Sequence, residues 1–470
     1  VRSLETKTRR IAVIGGGITG LAAARKLERA KEQGFNLEYD LYEKSSQLGG
    51  KIQTERKNGF VIERGPDSYL ARKESMTRLA KDVGIEDDLL PNDTGQAFVL
   101  KGDRLYPIPG GAIMGIPTEI KPFIYTQLLS PLGKLRAATD FVYPSFTAKD
   151  EDISLGHFFR RRLGNEVVDN LIEPLLSGIY AGNLDKLSLK ATFPQFQQVE
   201  QKHGSLIRGM KASRAKQGPK VEKTKSKGMF LTFRNGLQSF VEAIESKLEA
   251  GSVHKNSHIT KIYKQDNQLH LLFKDGSIQT YDDVIVTTPP KITAALLVDY
   301  PYFSYLNDME TTTVATVAMA YKEDRITIPH DGTGFVVSKK SNHAITACTW
   351  THKKWKHSTP PGYGLLRAYV GRPGDSAIVS RSDEEIVKAV LYDLRQVMEI
   401  EGDPEFFVVT RWQEAMPQYN VGHTFKISKI KEDLARNLPG IHLAGGGIEG
   451  IGLPDCIDQG EAAVERILKK

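Results

Sequence analysis

Cysteine is almost absent from this chain: Cys348 and Cys456 are the only two among 470 residues. Two thiols so far apart exclude the disulfide framework of small secreted proteins and any cysteine-rich metal site. Long apolar runs are missing as well. No stretch approaches the roughly 18 residues that cross a bilayer, because even residues 11–24 are broken by four glycines. The first ten residues run polar and charged straight into an apolar stretch, leaving no room for the apolar core of a secretory signal. These absences predict a cytoplasmic protein with no transmembrane segment. The eleven histidines show no HExxH or Cys/His ligand spacing, so no catalytic metal is expected. No internal period of the kind that marks a solenoid or propeller is visible.

A chain-wide excess of one charge is also lacking, although the formal net charge is +7. Residues 202–227 hold nine Lys or Arg against the single acid Glu222, which leaves fifty-five basic against fifty-six acidic residues elsewhere. A nucleic-acid surface is therefore not expected. The basic run, with Gly and Pro inside it, reads as a solvated loop or hairpin insertion. It could dock an acidic partner or make peripheral contact with an anionic membrane surface.

What is present is an ordinary globular composition, 40% apolar and 26% charged. At roughly 150 residues per domain the length predicts two or three domains. Residues 10–15 read as a β-branched strand ending in glycines, 21–30 as a helix, and 37–43 as a second strand closing on an acid. Strand-like runs recur at 258–263, 269–273, 278–281 and 284–288, and a last strand at 440–444 breaks into a glycine triplet before a helical tail at 458–469. A nucleotide domain assembled from separated segments is the expectation. Between its pieces, 107–144 is rich in Pro, Gly and bulky apolar residues, 155–177 reads as helical, and 305–375 alternates like strands, for example at 313–321 and 365–370.

Gly15, Gly17 and Gly20 form G-x-G-x-x-G where the first strand meets the helix. In such a loop the first glycine allows the tight turn, the second lets backbone approach a pyrophosphate, and the third lets helix and strand pack closely. The phosphates then sit at the helix amino terminus, where free N–H groups and the helix dipole favour negative charge. Glu43 closes the second strand, where an acid accepts hydrogen bonds from an adenosine ribose. Strand, helix and acid in register predict dinucleotide binding, with Ile18, Thr19 and Lys44 beside the motif.

The doublet Gly49-Gly50-Lys51 follows Glu43 and resembles the doublet after the ribose acid in the amine-oxidase-like flavoprotein superfamily, except that Gln47 and Lys51 stand where arginines are common. Residues 258–290 resemble its adenine-side strands, with Ile259 at the position that touches the nucleotide. Residues 443–460, Leu-Ala-Gly-Gly-Gly-Ile-Glu-Gly-Ile-Gly-Leu-Pro-Asp-Cys-Ile-Asp-Gln-Gly, resemble its flavin segment, with Gly446 where many relatives have Thr. Within that superfamily, residues 63–73, 173–188, 193–196 and 410–419 resemble the protoporphyrinogen and coproporphyrinogen oxidases, especially the water-soluble bacterial branch.

The resemblance implies an α/β architecture. A Rossmann-like FAD-binding domain is expected from residues 1–75, 228–292 and 424–470. Residues 76–90 and 293–423 would form an inserted mixed α+β substrate domain, and 91–227 a mainly helical subdomain carrying the basic run. It implies noncovalent FAD, held by the residues above together with Gly50, Lys51, Gly65, Pro66, Asp67, Ser68, Trp412, Gly445, Gly446, Gly452, Leu453 and Pro454. Cys456 lacks the surroundings of a covalent flavin cysteine and reads as a packed thiol.

The implied reaction is oxidation of coproporphyrinogen III, and also of protoporphyrinogen IX, by molecular oxygen in haem synthesis, with the product handed to a later enzyme. The flavin carries the chemistry, so no side-chain catalyst is expected. Lys73 would hold a substrate carboxylate, the plainer alternative being an exposed helix lysine, and Ile179 and Tyr180 would line the macrocycle site, or else be core residues. An amine oxidase, a desaturase, or a porphyrin carrier with structural FAD are the alternative functions.

Overall fold

The computed structural model describes residues 8–148, 151–216 and 229–469. Five parallel strands form the first sheet, in the order Val253–His254, Leu37–Tyr42, Arg9–Ile14, Asp283–Val286, Ile441–Leu443. Ile11, Ala12 and Val13 are wholly buried, as expected for central strands covered on both faces. On one face lie the helices Ile18–Glu32, Ser75–Asp82, Leu237–Glu245 and Leu453–Leu468, packed through Leu21, Leu27, Leu79, Phe240 and Val464. The other face is covered by the antiparallel meander Ile259–Gln265, Gln268–Phe273 and Ile278–Tyr281, through Ile262, Leu271 and Tyr281. Arg9–Ile14 has a strand that follows it in sequence on one side and a strand from residue 283 onward on the other. Its carboxyl end is therefore a topological switch point, where sheets of this type open a crevice for a ligand.

A second, seven-stranded sheet runs in the order Phe406–Pro417, Thr311–Lys322, Tyr363–Val370, Ile345–Trp350, Gly334–Val337, Ala97–Lys101, Arg104–Pro107. The helix Asp383–Arg395, opened by a Ser382/Glu385 capping box, packs on it through Ile386, Val390 and Leu394. The segment boundaries differ here from the expectation. Residues 97–107 were assigned to the helical part but pair into this sheet, and the helix Ser75–Asp82, assigned to the substrate part, packs on the nucleotide-domain core. The apolar run Phe98-Val99-Leu100 is too short to announce a strand by itself, and its remote partner Gly334–Val337 lies 237 positions along the chain.

The helical part is built around Phe158, Phe159, Leu171 and Phe196, all fully buried or nearly so. Ser154 caps its helix Leu155–Leu163 by accepting from the His157 N–H. The single helix expected over 155–177 is interrupted. Gly164 takes φ +86°, where an added Cβ would meet Arg136 Cγ at 2.6 Å. The chain restarts at Asn165–Val167, widens into a π-turn at Val168–Ile172 and ends as Glu173–Tyr180. The basic run is likewise not simply a loop: its first part completes the helix Pro194–His203 and forms the helix Leu206–Lys216. Residues 217–227 lie outside the described residues. Among the described residues no helix is long and apolar enough to cross a membrane.

Candidate flavin and substrate site

The glycine loop behaves as the motif requires. Gly15 takes φ +107°, reserved in practice for glycine, and a Cβ at Gly20 would stand 1.9 Å from the Gly15 carbonyl oxygen. Gly17 is different: its φ is −71°, and a Cβ there would meet no protein atom within 4 Å. Gly17 is the N-cap of the Ile18–Glu32 helix, no side chain caps that end, and its first turn holds no acid. Free N–H groups, an approachable backbone and the positive end of a helix thus coincide, which fits a pyrophosphate. Glu43 is half-buried at the next strand end, its carboxylate accepting from the N–H groups of Gly16 and Ser45, both at 2.7 Å. An ionised carboxylate has lone pairs to spare for ribose hydroxyls. Lys44 is exposed beside it.

The later segments converge on this loop. Gly49 donates to the Gly16 carbonyl and bridges Gly17, and a Cβ on Gly50 would lie 3.2 Å from Gly17 Cα. Ser257 donates to the Glu43 carbonyl, which brings the start of the Ile259–Gln265 strand, with Ile259 buried, to the ribose side. Gly445 takes φ +113° and faces Thr19, a Cβ there lying 3.5 Å from Thr19 Oγ1. Gly452 caps the helix that begins with Leu453 and Pro454. Ile18 and Thr19 are buried in the first turn of their own helix. Lys51 reaches the Ala415 carbonyl. Desolvation by the surrounding protein lowers its pKa.

The Arg64–Gly65 turn is clamped from the second sheet. Trp412 Nε1 donates to the Arg64 carbonyl at 2.9 Å, Thr316 Oγ1 donates to the same oxygen at 2.9 Å, and Arg367 donates to the Gly65 carbonyl. Gly65 is also packed so closely that a Cβ would fall 1.9 Å from the Lys51 carbonyl oxygen. Pro66 is half-buried in the same turn. The Asp67 side chain points away from the glycine loop, to Lys354 Nζ at 2.8 Å and to the Ser68 hydroxyl at 2.7 Å. Burial opposes its charge, and Lys354 with Arg367 more than offset this, holding the carboxyl well below the usual carboxylate range. The Asp67 carboxylate and the Ser68 hydroxyl are thus engaged with each other and with Lys354, which leaves their backbone as the part that could meet a cofactor.

Beneath this turn Glu63 accepts from the Leu237 N–H at 2.6 Å and the Thr54 hydroxyl at 2.8 Å. Burial pushes its carboxyl up to about 7 despite those bonds and the pull of Arg367. Because this lies above its ordinary value of 4.5, the folded state keeps the proton longer than the unfolded chain. The contribution to stability is then fully present below the unfolded value and is lost as pH rises through about 7. Replacing Glu63 with Gln is expected to flatten the fall of the urea midpoint between about pH 5 and pH 8. An unchanged pH slope in E63Q would contradict this assignment.

The three residues expected at the substrate separate. Tyr180 turns into the core, its ring 6.0 Å from Phe193 and 5.9 Å from Tyr419, whereas Ile179 is 43% exposed. Lys73 is not a helix lysine: it sits in the turn before Ser75–Asp82 and is ion-paired with Asp455. A cavity of about 530 Å³ lies nearby, lined by Asn183, Lys186, Lys291, Glu310, Glu414 and Gln418 among others. Its lysines are already paired, Lys186 with Glu310 and Lys291 with Glu414.

Several positioning residues have no motif of their own. Thr287 donates its hydroxyl to the carbonyls of Ile14 and Gly15. Tyr419, wholly buried, donates to the Gly446 carbonyl at 2.7 Å and stacks at 4.1 Å on His423, whose Nε2 meets the Ile448 carbonyl at 2.8 Å. Gln459 accepts from the Gly445 N–H. These brace the glycine triplet from behind, where a threonine hydroxyl is lacking. Cys456 is a buried free thiol whose pKa burial raises, so it stays protonated and packed.

A parallel sheet with an uncapped helix at its switch point, an acid at the next strand end and a glycine-rich carboxy-terminal turn define a dinucleotide-binding fold, and the family match makes it that of a flavin-dependent oxidoreductase. The chain belongs to the flavin containing amine oxidoreductase family, which it matches over residues 18–468. Among known proteins it is similar to coproporphyrinogen III oxidase of Bacillus subtilis (strain 168), with 52% identity over 459 residues, 97% of each chain. The coproporphyrinogen III oxidase of Staphylococcus aureus (strain NCTC 8325 / PS 47) is 47% identical, over 98% of this chain and 99% of that one. The crystal structure of a candidate protoporphyrinogen oxidase from Exiguobacterium sp. 255-15 superposes with a TM-score of 0.88 at 40% identity, covering 99% of this chain and 100% of the other.

Proposed function

We propose that this protein oxidises coproporphyrinogen III to coproporphyrin III in haem synthesis, using noncovalently bound FAD and molecular oxygen, and accepts protoporphyrinogen IX as a second substrate. The observation that carries the reading is 52% identity to a coproporphyrinogen III oxidase over nearly the whole of both chains. The flavin cradle described above agrees with it. The two cysteines, both buried and free, suit work in the cytoplasm.

The chain's own part in the chemistry is binding, orientation and exclusion of water. Gly17 and the first turn of the Ile18–Glu32 helix would hold the pyrophosphate, Glu43 the ribose, and the Gly65 and Gly445–Gly446 turns the flavin ring. A bound flavin would supply two-electron acceptance, with molecular oxygen as the final acceptor. Arg367, Trp412 and Thr316 fix the Gly65 turn, and Tyr419 fixes Gly446, so the ring's surroundings are set before substrate arrives. Lys73 offers the cation for a substrate carboxylate.

The test is steady-state oxidation of coproporphyrinogen III and protoporphyrinogen IX by the flavin-loaded protein, reading porphyrin fluorescence and peroxide against a no-enzyme control. Fluorescence growth with matching peroxide is expected, with the higher kcat/KM on coproporphyrinogen III. No turnover on either substrate with flavin bound would overturn the assignment. In the same assay Lys73→Ala is expected to raise KM for coproporphyrinogen III about tenfold, the loss of a charge-assisted contact; an unchanged KM would remove Lys73 from the substrate site.

A further inference from the structure

Lys73 does not stand free to meet a substrate. Its Nζ lies 2.5 and 2.6 Å from the two carboxylate oxygens of Asp455. The partners come from opposite ends of the chain: Lys73 from the turn after the Tyr69–Leu70 strand, Asp455 from the first turn of the Leu453–Leu468 helix, a position the helix dipole favours for an acid. The Asp455 charge is felt at the hydroxyls of Tyr180 and Tyr419 and at Cys456. A Cβ at Gly450 would fall 2.8 Å from Asp455 Cβ and one at Gly452 2.6 Å from Asp455 Oδ2, so the pair borders the carboxy-terminal glycine turn.

The exposure of the pair decides what it can do. Both side chains keep about a third of their surface open, 36% for Lys73 and 34% for Asp455. That is unlike the fully buried Arg162–Asp140 pair. A partly solvated Lys–carboxylate pair is held weakly, because water already serves both charges. An arriving carboxylate can take the place of Asp455 without stranding either group. Asp455 and a substrate carboxylate are chemically the same ligand for one ammonium, and they also repel each other.

We propose that Asp455 sets the affinity of the site for its substrate: it is an internal competitor that occupies Lys73 until a porphyrinogen carboxylate displaces it. This rests on the porphyrinogen reading above. A ligand without a carboxylate leaves the pair closed and meets a locally neutral surface. A polycarboxylate opens it, turning Lys73 towards itself and Asp455 towards water. Asp455 thereby lowers affinity for carboxylate-bearing macrocycles by the cost of opening the pair, a cost that an uncharged macrocycle does not bear.

The experiment titrates FAD-loaded protein with coproporphyrin III, the oxygen-stable product, and reads quenching of porphyrin fluorescence at low and high salt. Asp455→Asn is expected to bind roughly three- to tenfold tighter than wild type at low salt, with a parallel fall in KM for coproporphyrinogen III. The gain shrinks at high salt and is absent when Lys73→Met is combined with Asp455→Asn. Asp455→Ser, which also suits the first turn of a helix, should behave as Asp455→Asn does and covers the case in which the amide variant fails to fold. Flavin content confirms that each variant is loaded. Binding equal to or weaker than wild type in the loaded single variants overturns the inference, since Asp455 would then merely hold Lys73 in place. A wild type that binds no coproporphyrin overturns the porphyrinogen reading, and this inference with it.

Discussion

Gly20→Ala is expected to purify without flavin and with a lowered melting temperature, whereas Gly17→Ala is expected to lose flavin while its apoprotein melts like wild type. The two glycines are three residues apart in one motif, yet their surroundings differ. At Gly20 a methyl would stand 1.9 Å from the Gly15 carbonyl oxygen and 3.0 Å from Thr287 Oγ1, so the first strand and its helix must separate. Overpacking of that kind costs roughly 1–3 kcal/mol, and the loop that Gly15 shapes is displaced with it. At Gly17 a methyl meets no protein atom within 4 Å and the backbone is already ordinary, so folding is not strained. It would occupy the space through which the uncapped helix end meets a phosphate. A flavin affinity at least about tenfold weaker is the expectation, about 1.4 kcal/mol. Titration of the apoproteins with FAD, followed by fluorescence, reads both. Wild-type flavin affinity in Gly17→Ala would show that the pyrophosphate does not lie there.

Arg162→Ala should destabilise the helical part by about 3–5 kcal/mol, the cost of leaving buried charge unpaired. Arg162, Asp140 and Glu200 have no exposed side-chain surface at all. The guanidinium donates to Asp140 Oδ1 at 2.6 Å and to the carbonyls of Asp140, Pro144 and Gly204. Asp140 further accepts from the Ser205 hydroxyl and the Ile207 N–H, and Glu200 from Ser145, Phe146 and Thr147. Arg162 thus ties residues 140–144 to Gly204 and Glu200, and its loss leaves two buried carboxylates without a cation. Limited proteolysis should then cut within 139–216 while the nucleotide domain survives, and the first thermal transition should fall. A variant as resistant as wild type would mean the network contributes little. Because the same helices carry Tyr180, whose carbonyl accepts from Gln418, substrate affinity should fall with stability.

Much of the nucleotide domain was legible because its signals are local. Residues 9–43 carry strand, loop, helix and acid within one short stretch, and each prediction there depended only on neighbours in the chain. The same holds for the helix Leu453–Leu468, although its true start at Leu453 lies before the 458 anticipated, since Pro454 and Asp455 are good first-turn residues. Legibility failed where partners are remote. Ala97–Lys101 joins the second sheet by pairing with Gly334–Val337, and the hairpin to Arg104–Pro107 extends it, while the helix break at Gly164 leaves Arg136 packed where a side chain would stand.

The motif alone was sufficient for dinucleotide binding as an expectation: a glycine loop in register with Glu43 acts by chemistry within a few residues. The doublet at Gly49 and the segment at 443–460 added the flavin through resemblance. The tertiary arrangement alone decided which of these groups meet. It turned Asp67 towards Lys354, sent Tyr180 into the core, set Tyr419 and His423 behind Gly446, and closed Lys73 onto Asp455, 382 residues away in the chain. Charge pairing and close packing depend on distance in space, which falls off within a few ångströms and is unrelated to separation along the chain.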